Sequence, residues 1–327
     1  MKILVTGSSG HLGEALMRTL LPLGHGVVGI DTRTGAFTTH QGSIADRAFV
    51  RRCMPGVEAV LHTATLHKPH VATHGRQDFI DSNITGTLNL LEEAVAASVG
   101  AFVFTSTTSV FGDALVPPPS APAAWITEEV RPIPKNIYGV TKAAAEDLCQ
   151  LFQRNHGLPV VVLRTSRFFP EADDDKGARD AFADENLKAN EYLYRRVDLE
   201  DVVSAHLLAM DRAPSIGFQR FIISAATPFQ PDDMAALRRD VPAVVGRRVP
   251  AYAIEYARRG WRMASGIDRV YVSARARDEL GWRPRTDFHR IVTLLARGED
   301  IRSPLARLVG SKGYHADRFA EGPYPVG

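Results

Sequence analysis

Thr6-Gly7-Ser8-Ser9-Gly10-His11-Leu12-Gly13 stands where a short β-rich run, Lys2 to Thr6, gives way to a helical pattern carried by Leu12, Ala15, Leu16, Thr19 and Leu20. Strand, glycine turn and helix in that order open a parallel α/β sheet. The three glycines have separate tasks. Gly7 permits a tight turn, Gly10 lets backbone approach a pyrophosphate, and Gly13 lets the helix pack closely on the strand, its N-terminus facing the phosphates. Ser9, His11 and Leu12 join them as candidate cofactor contacts. Asp31 follows Gly13 by 18 residues, at the end of a second strand, Val27 to Ile30. A carboxylate there accepts both ribose hydroxyls and repels a 2′-phosphate, which favours NAD, whereas Arg33 is the feature that would suit NADP. The plain alternative is a structural turn that holds no dinucleotide.

Working outward, Ala59 to His62, Ala101 to Thr105, Val160 to Arg164 and Phe221 to Ser224 read as further core strands. Amphipathic helical patterns occupy Ile80 to Ala97, Tyr138 to Phe152 and Asp198 to Met210. This alternation predicts an α/β, Rossmann-type doubly wound parallel sheet with helices on both faces. The regularity fails from Arg167 to Asn190, which reads as an inserted lobe. After Thr227 the chain reads as short helices with one β-rich run, Val270 to Val272, and a loop-like end, Pro304 to Gly327. The expected division is an NAD-binding domain of residues 1–165 plus 196–224 and a smaller, mostly helical substrate-binding lobe of 166–195 plus 225–327.

Composition sets the outer bounds. With 327 residues, 45% hydrophobic and 23% charged, a wholly disordered, collagen-like or coiled-coil chain is excluded. The longest nearly apolar run, Ala94 to Phe104, is about half of a bilayer span, and the N-terminus lacks a signal-peptide pattern. Cys53 and Cys149 form no CxxC pair, so reduced thiols and a cytoplasmic location are expected. The net charge is +2, but Arg238 to Arg302 holds 15 basic against 8 acidic residues. That imbalance suits an anionic ligand or nucleic acid, or more plainly a solvated surface.

Two further constellations carry chemistry. Tyr138-Gly139-Val140-Thr141-Lys142 places a phenol and an ammonium four residues apart on one helix face, where the cation is expected to lower the phenol pKa and so ready it for proton exchange with a substrate hydroxyl. Lys142 is also placed to bond a nicotinamide ribose. Thr105 to Gly112 puts several hydroxyls, those of Thr107 and Thr108 among them, at the carboxyl end of a core strand, where ligands bind in open α/β sheets; one of these hydroxyls is expected to face substrate. His67, Lys68 and His70 lie on the loop after the third core strand and are candidates for substrate contact, Lys68 foremost. Their spacing with His62 and His74 crosses a proline loop without carboxylate or cysteine, and no metal is expected.

Taken together, these motifs resemble the extended short-chain dehydrogenase/reductase family, in its sugar-nucleotide epimerase/dehydratase branch. The resemblance covers TGxxGxxG at Thr6 to Gly13, His62-Thr63-Ala64, Asn83 to Glu92, the Thr107 to Gly112 turn, Tyr138 to Lys142, Leu163-Arg164, Arg196 to Val202 and Leu280 to Pro284. It implies Thr107 as the catalytic hydroxyl, Tyr138 as acid/base and Lys142 as the cofactor-positioning lysine, with His62 and Ala64 beside the cofactor. It also implies a homodimer through the helices at Ile80 to Ala97 and Tyr138 to Phe152. Arg269 falls where family members place a diphosphate-binding arginine. Two departures are informative. The Asp-Glu that a dehydratase carries after its Thr is here Thr108-Ser109, which argues against dehydration. The usual Asn after the Leu-Arg strand is Arg167, which suits either a diphosphate or a carboxylate.

The expected function is therefore an NAD-dependent epimerase of a sugar, in this branch a nucleotide sugar, acting through a transient keto form. The alternatives are an NAD(P)-dependent dehydrogenase or reductase of a non-nucleotide hydroxy or keto compound and, less favoured, a non-catalytic dinucleotide-sensing or nucleic-acid-binding protein. The role of the acidic stretch Glu171 to Asp175 is not assigned by the sequence.

Overall fold

The computed structural model describes residues 1–313 and 319. Strands β1 (Lys2–Thr6), β2 (Gly26–Asp31), β3 (His40–Gln41), β4 (Ala59–His62), β5 (Ala101–Thr107), β7 (Val160–Thr165) and β8 (Phe218–Ile223) form one parallel sheet in the order β3-β2-β1-β4-β5-β7-β8. Between them in sequence, β6 (Ala124–Ile126) pairs in parallel with β9 (Arg269–Tyr271) as a separate ribbon. The chain reverses its winding direction at β1, whose neighbours are β2 and β4. A crevice therefore opens at the carboxyl ends of β1 and β4, the ordinary place for a ligand in such a sheet.

Alternation along the strands decides what covers each face. Ile3, Val5, Leu61, Val103 and Leu163 point to one side, where they meet α1 (His11–Leu20) and, later in the chain, the helix Leu199–Ile216. Leu4, Val60, Phe102, Phe104 and Val162 point to the other, against α2 (Arg47–Cys53) and the helices Gly86–Ala96 and Ile137–His156. Strands buried on both faces read as continuous apolar runs, as these do. A third core, with Leu193, Phe229, Val244, Tyr256, Phe288 and Ile291 among its members, is built from the short helices that follow β8.

Two local expectations need correction, the helix over Ile80 to Ala97 and the loop from Pro304, and other stretches that the sequence left open take definite form. The single helix expected over Ile80 to Ala97 is a composite: α3 (Arg76–Phe79), a π-helical turn at Ile80–Thr85, and α4 (Gly86–Ala96). The extra residue of the π turn brings Asn83 inside, where its amide accepts from the Leu66 N–H at 2.8 Å and donates to the Thr141 hydroxyl at 3.0 Å. The inserted stretch after Arg167 is helical at α6 (Lys176–Ala181) and α7 (Asp184–Glu191), which follow α5 (Ile137–His156). The two short strands β3 and β6 were not legible. Pro304 starts a helix, Pro304–Val309, rather than a loop, because proline at a first helical position loses no hydrogen bond and the Ser303 hydroxyl caps the Ala306 N–H. The rest of the expected loop-like end beyond 313 lies, except for residue 319, outside the described residues. No helix among the described residues is long and apolar enough to cross a membrane.

Candidate active site

The crevice at the β1/β4 switch widens into a cleft of about 870 Å³. Its floor is the glycine loop. Gly7 has φ +71°, a conformation glycine adopts without strain, and its carbonyl accepts from the Gly10 N–H at 2.9 Å. A Cβ on Gly13 would drive into the Gly7 carbonyl, so α1 reaches its seat on β1 only with hydrogen at this position. Gly7, Gly10, His11, Leu12 and Gly13 all line the cleft. Ser9 does not. Its N–H donates to Asp31 Oδ2 at 2.9 Å and its hydroxyl meets Thr38, so Ser9 positions the acid rather than touching a ligand. Asp31 receives a second N–H from Arg33 at 2.9 Å, which fixes the carboxylate at the end of β2 on the cleft wall. The Arg33 guanidinium is exposed and lies 3.9 Å from Asp31.

His62 departs from the expected role. It is buried beneath the wall, bonded to the Thr6 hydroxyl through Nδ1 at 2.8 Å and to Thr87 through Nε2 at 2.9 Å, and does not line the cleft. Its neighbour Ala64 does, with its N–H held by Thr6 at 3.0 Å. The HTA pattern thus works by having the histidine brace the loop while the alanine faces inward.

At the carboxyl end of β5, Thr107 and Thr108 open into the same cleft, opposite Tyr138 from the first turn of α5. Asn136 caps that turn by accepting from the Gly139 N–H at 3.1 Å. Burial pushes the Tyr138 phenol up to about 12, against the opposing pull of a hydrogen bond with Thr107. This corrects the expectation of a phenol acidified by its lysine. Lys142 shares the helix face, but it lies behind the cleft wall. Its ammonium donates to the Thr105 carbonyl at 2.6 Å and sits 4.0 Å from the centroid of the Phe104 ring. Burial brings Lys142 down to about 7. With its proton donor bonded to backbone and its charge weakened near neutrality, Lys142 is not the group that sets the Tyr138 pKa in this structure. Beneath Thr107, Ser106 donates to Glu146 at 2.6 Å, and Arg164 clamps the same carboxylate at 2.7 Å, which stiffens the strand end.

Across the cleft from the glycine loop, the expected substrate residues Lys68, Arg167 and Arg269 all contribute to the wall. Lys68 and Arg167 are paired with Asp174, and Arg167 also with Asp173 at 3.2 Å. Arg269 brings a buried Nε that has no partner among the described residues. Among the lining residues not singled out from the sequence are Asp174 and Lys312, and Glu171 ties the second of these to the glycine loop from outside the cleft. Glu171 bonds His11 Nε2 at 2.8 Å and accepts from the Ser311 hydroxyl at 2.8 Å and the Lys312 N–H at 3.0 Å. Lys312 then reaches Glu14 of α1 at 2.5 Å. The acidic run was the visible signal, but nothing local in it names its partners. Among the described residues, no cluster of His, Cys, Asp and Glu could hold a metal.

A dinucleotide fits this donor set. The glycine cradle leaves no side chain between the cleft and the N-terminus of α1, and the oriented Asp31 carboxylate supplies the ribose acceptor.

Comparison with known proteins agrees with that fit. The model of the NAD dependent epimerase/dehydratase family matches residues 3–221. The chain is 27% identical over 329 residues to dTDP-glucose 4,6-dehydratase of Streptomyces antibioticus, covering 88% of this chain and 89% of that one. It is 25% identical over 318 residues to UDP-glucose 4-epimerase of Streptomyces lividans, covering 86% and 91%. A short-chain dehydrogenase/reductase superfamily protein of Agrobacterium tumefaciens, crystallised with bound NAD, superposes with a TM-score of 0.63 at 25% identity, over 94% of this chain and 99% of that one.

Proposed function

The chain belongs to the NAD-dependent epimerase/dehydratase family, with NAD as its cofactor, and from that premise we propose that it is a sugar epimerase acting on a nucleotide sugar through a transient keto form. One observation carries the proposal. Thr107 and Tyr138 stand together on the wall of the cleft whose floor is the glycine loop, so a substrate hydroxyl beside them also lies beside the cofactor. NAD, when bound, would supply a reversible hydride acceptor for the carbinol carbon. As the phenolate, the Tyr138 oxygen takes the hydroxyl proton while the C–O bond becomes a carbonyl, and as the phenol, the form favoured by burial, it gives that proton back when the carbonyl is reduced. Thr107 donates its one hydroxyl proton to the Tyr138 oxygen, favouring the phenolate. Gly7, Gly10 and the N-terminus of α1 would hold the pyrophosphate, Asp31 the adenine ribose and Ala64 the adjoining wall. Lys142 would have to leave the Thr105 carbonyl to bond the nicotinamide ribose.

Similarity in sequence to an epimerase and to a dehydratase is nearly equal and does not choose between them. The preference for an epimerase rests on Thr108 and Ser109, which stand where the resemblance puts the Asp-Glu pair of a dehydratase. The substrate-facing lobe is the third core with the segment 166–195. A homodimer through α4 and α5 accords with the exposed Val140 and Leu151 on α5.

The test is a panel of nucleotide sugars followed by NMR of the sugar ring. Interconversion of epimers without net NADH supports the proposal. Tyr138→Phe is expected to retain NAD and lose at least about 100-fold in turnover, the low end for loss of a general acid/base. Undiminished turnover removes Tyr138 from the reaction. The second reading, a net dehydrogenase of a non-nucleotide hydroxy compound, is favoured by the carboxylates already paired with Lys68 and Arg167. Stoichiometric NADH would establish it.

A further inference from the structure

The acidic stretch that the sequence left unassigned lies at the substrate end of the cleft. Its three consecutive aspartates have three different tasks. Asp173 is 2% exposed and pairs with Arg195 at 2.8 Å and Arg167 at 3.2 Å. Asp175 caps α6, accepting from the Ala178 N–H at 3.1 Å. Only Asp174, between them, lines the cleft. Its carboxylate sits on the Lys68 ammonium and 3.3 Å from Arg167 Nη1. The flanking aspartates pin the loop on both sides, so Asp174 is presented by a fixed frame.

We propose that Asp174 is a specificity-determining residue, an internal counter-ion seated on Lys68 and Arg167, with which the anionic end of a substrate must compete. The proposal rests on the reading that this cleft binds substrate, and it names how the substrate's charge is selected. Lys68 and Arg167 are the two cations that a diphosphate would use beside Arg269, and both already hold a carboxylate. A dianion entering next to Asp174 meets a like charge in a partly desolvated wall, where repulsion is screened little. It binds by displacing Asp174 or not at all. A neutral or singly charged substrate that leaves the pair intact meets no such barrier. The loop thus sets the affinity for an anionic substrate end by competition from Asp174 as well as by contact with Lys68 and Arg167.

The probe is uridine diphosphate, titrated calorimetrically into the NAD-loaded enzyme so that its phosphates do not take the glycine loop. Asp174→Asn is expected to tighten uridine diphosphate by about tenfold or more, the size of one charge-assisted hydrogen bond. Uridine, which lacks the phosphates, and NAD keep their affinities. Asp174→Glu, which retains the charge, shows no gain, and Lys68→Met in the Asp174→Asn background removes it. Asp174→Ala repeats the measurement should the amide not be accommodated, with NAD affinity reporting the folded state. Unchanged or weaker uridine diphosphate binding in both Asp174→Asn and Asp174→Ala overturns the proposal, and so does a gain that survives loss of Lys68. Binding is read without turnover. A chain that epimerises no sugar yet shows the gain loses the functional reading and keeps this one, and the converse result does the opposite.

Discussion

Tyr138 is where one side chain's environment says most about the reaction. A phenol pushed up to about 12 by burial is protonated across the physiological range, so the resting enzyme holds the proton that a keto carbon's oxygen needs and lacks the base that an alcohol needs. The Thr107 hydrogen bond works in the opposite direction because it favours the phenolate. The sign follows directly: removing the donor raises the phenol pKa further. Thr107→Val is expected to move the rising limb of the oxidative pH–rate profile to higher pH and so to lower the rate at every pH below it, with Thr107→Ser close to the parent, since it retains the hydroxyl. Initial rates from pH 6 to 10 decide this, and rates equal to the parent's across that range would detach Thr107 from the proton. At this scale the sequence located Tyr138, Thr107 and Lys142 correctly on strand and helix, because spacing fixes which residues share a face. It did not locate the ammonium. Whether Lys142 meets the phenol or the Thr105 carbonyl depends on a buried rotamer, for which periodicity carries no information.

The strand–turn–helix from Lys2 to Leu20 was legible in full, because a local motif, an apolar run and a helical period all fall within twenty residues and agree. Its tightest demand is the contact of Gly13 with the Gly7 carbonyl. Gly13→Ala forces α1 away from β1 in a region without free volume, and overpacking of this kind costs about 1–3 kcal/mol. The same displacement spoils the backbone approach to a pyrophosphate. The variant is expected to unfold at lower urea concentration and to bind NAD at least about tenfold more weakly, that affinity factor corresponding to 1.4 kcal/mol. Equilibrium denaturation and fluorescence titration measure the two effects, and full NAD affinity in Gly13→Ala would show that the helix does not need this seat. Elements whose partners are distant were less legible. The ribbon of β6 and β9 joins residues 124–126 to 269–271; the β-rich run Val270 to Val272 marked β9, but β6 has no pattern of its own. Lys68 and Asp174 are 106 positions apart, and an ion pair leaves no periodic trace in either segment.

Across the whole molecule, the same absence of local signal hid the contact that ties the end of the described chain to its beginning. Glu171 gathers the Ser311 hydroxyl and the N–H groups of Lys312 and Gly313 onto one oxygen, beside His11 in the first turn of α1, while Lys312 crosses to Glu14. The glycine loop, the acidic segment and the last described residues are thereby one charged junction at the edge of the cofactor cleft. Burial raises the Glu171 carboxyl, but His11 and Ser311 outweigh it and bring the group down to about 2, below its ordinary 4.5. A folded-state pKa lowered in this way contributes stability that is fully present above about 4.5 and is lost as pH falls toward about 2. The shift corresponds to at most about 3 kcal/mol, at 1.36 kcal/mol per pKa unit. Glu171→Gln keeps the shape and removes the charge. It is expected to lower the urea midpoint clearly at pH 7 and pH 5 and progressively less at pH 4 and pH 3, as the parent's unfolded chain takes up the proton that its folded carboxylate still refuses. A deficit of constant size across that range would mean that the carboxylate's charge does not hold the junction and that Glu171 serves only as a spacer between α1 and the chain's last described turn.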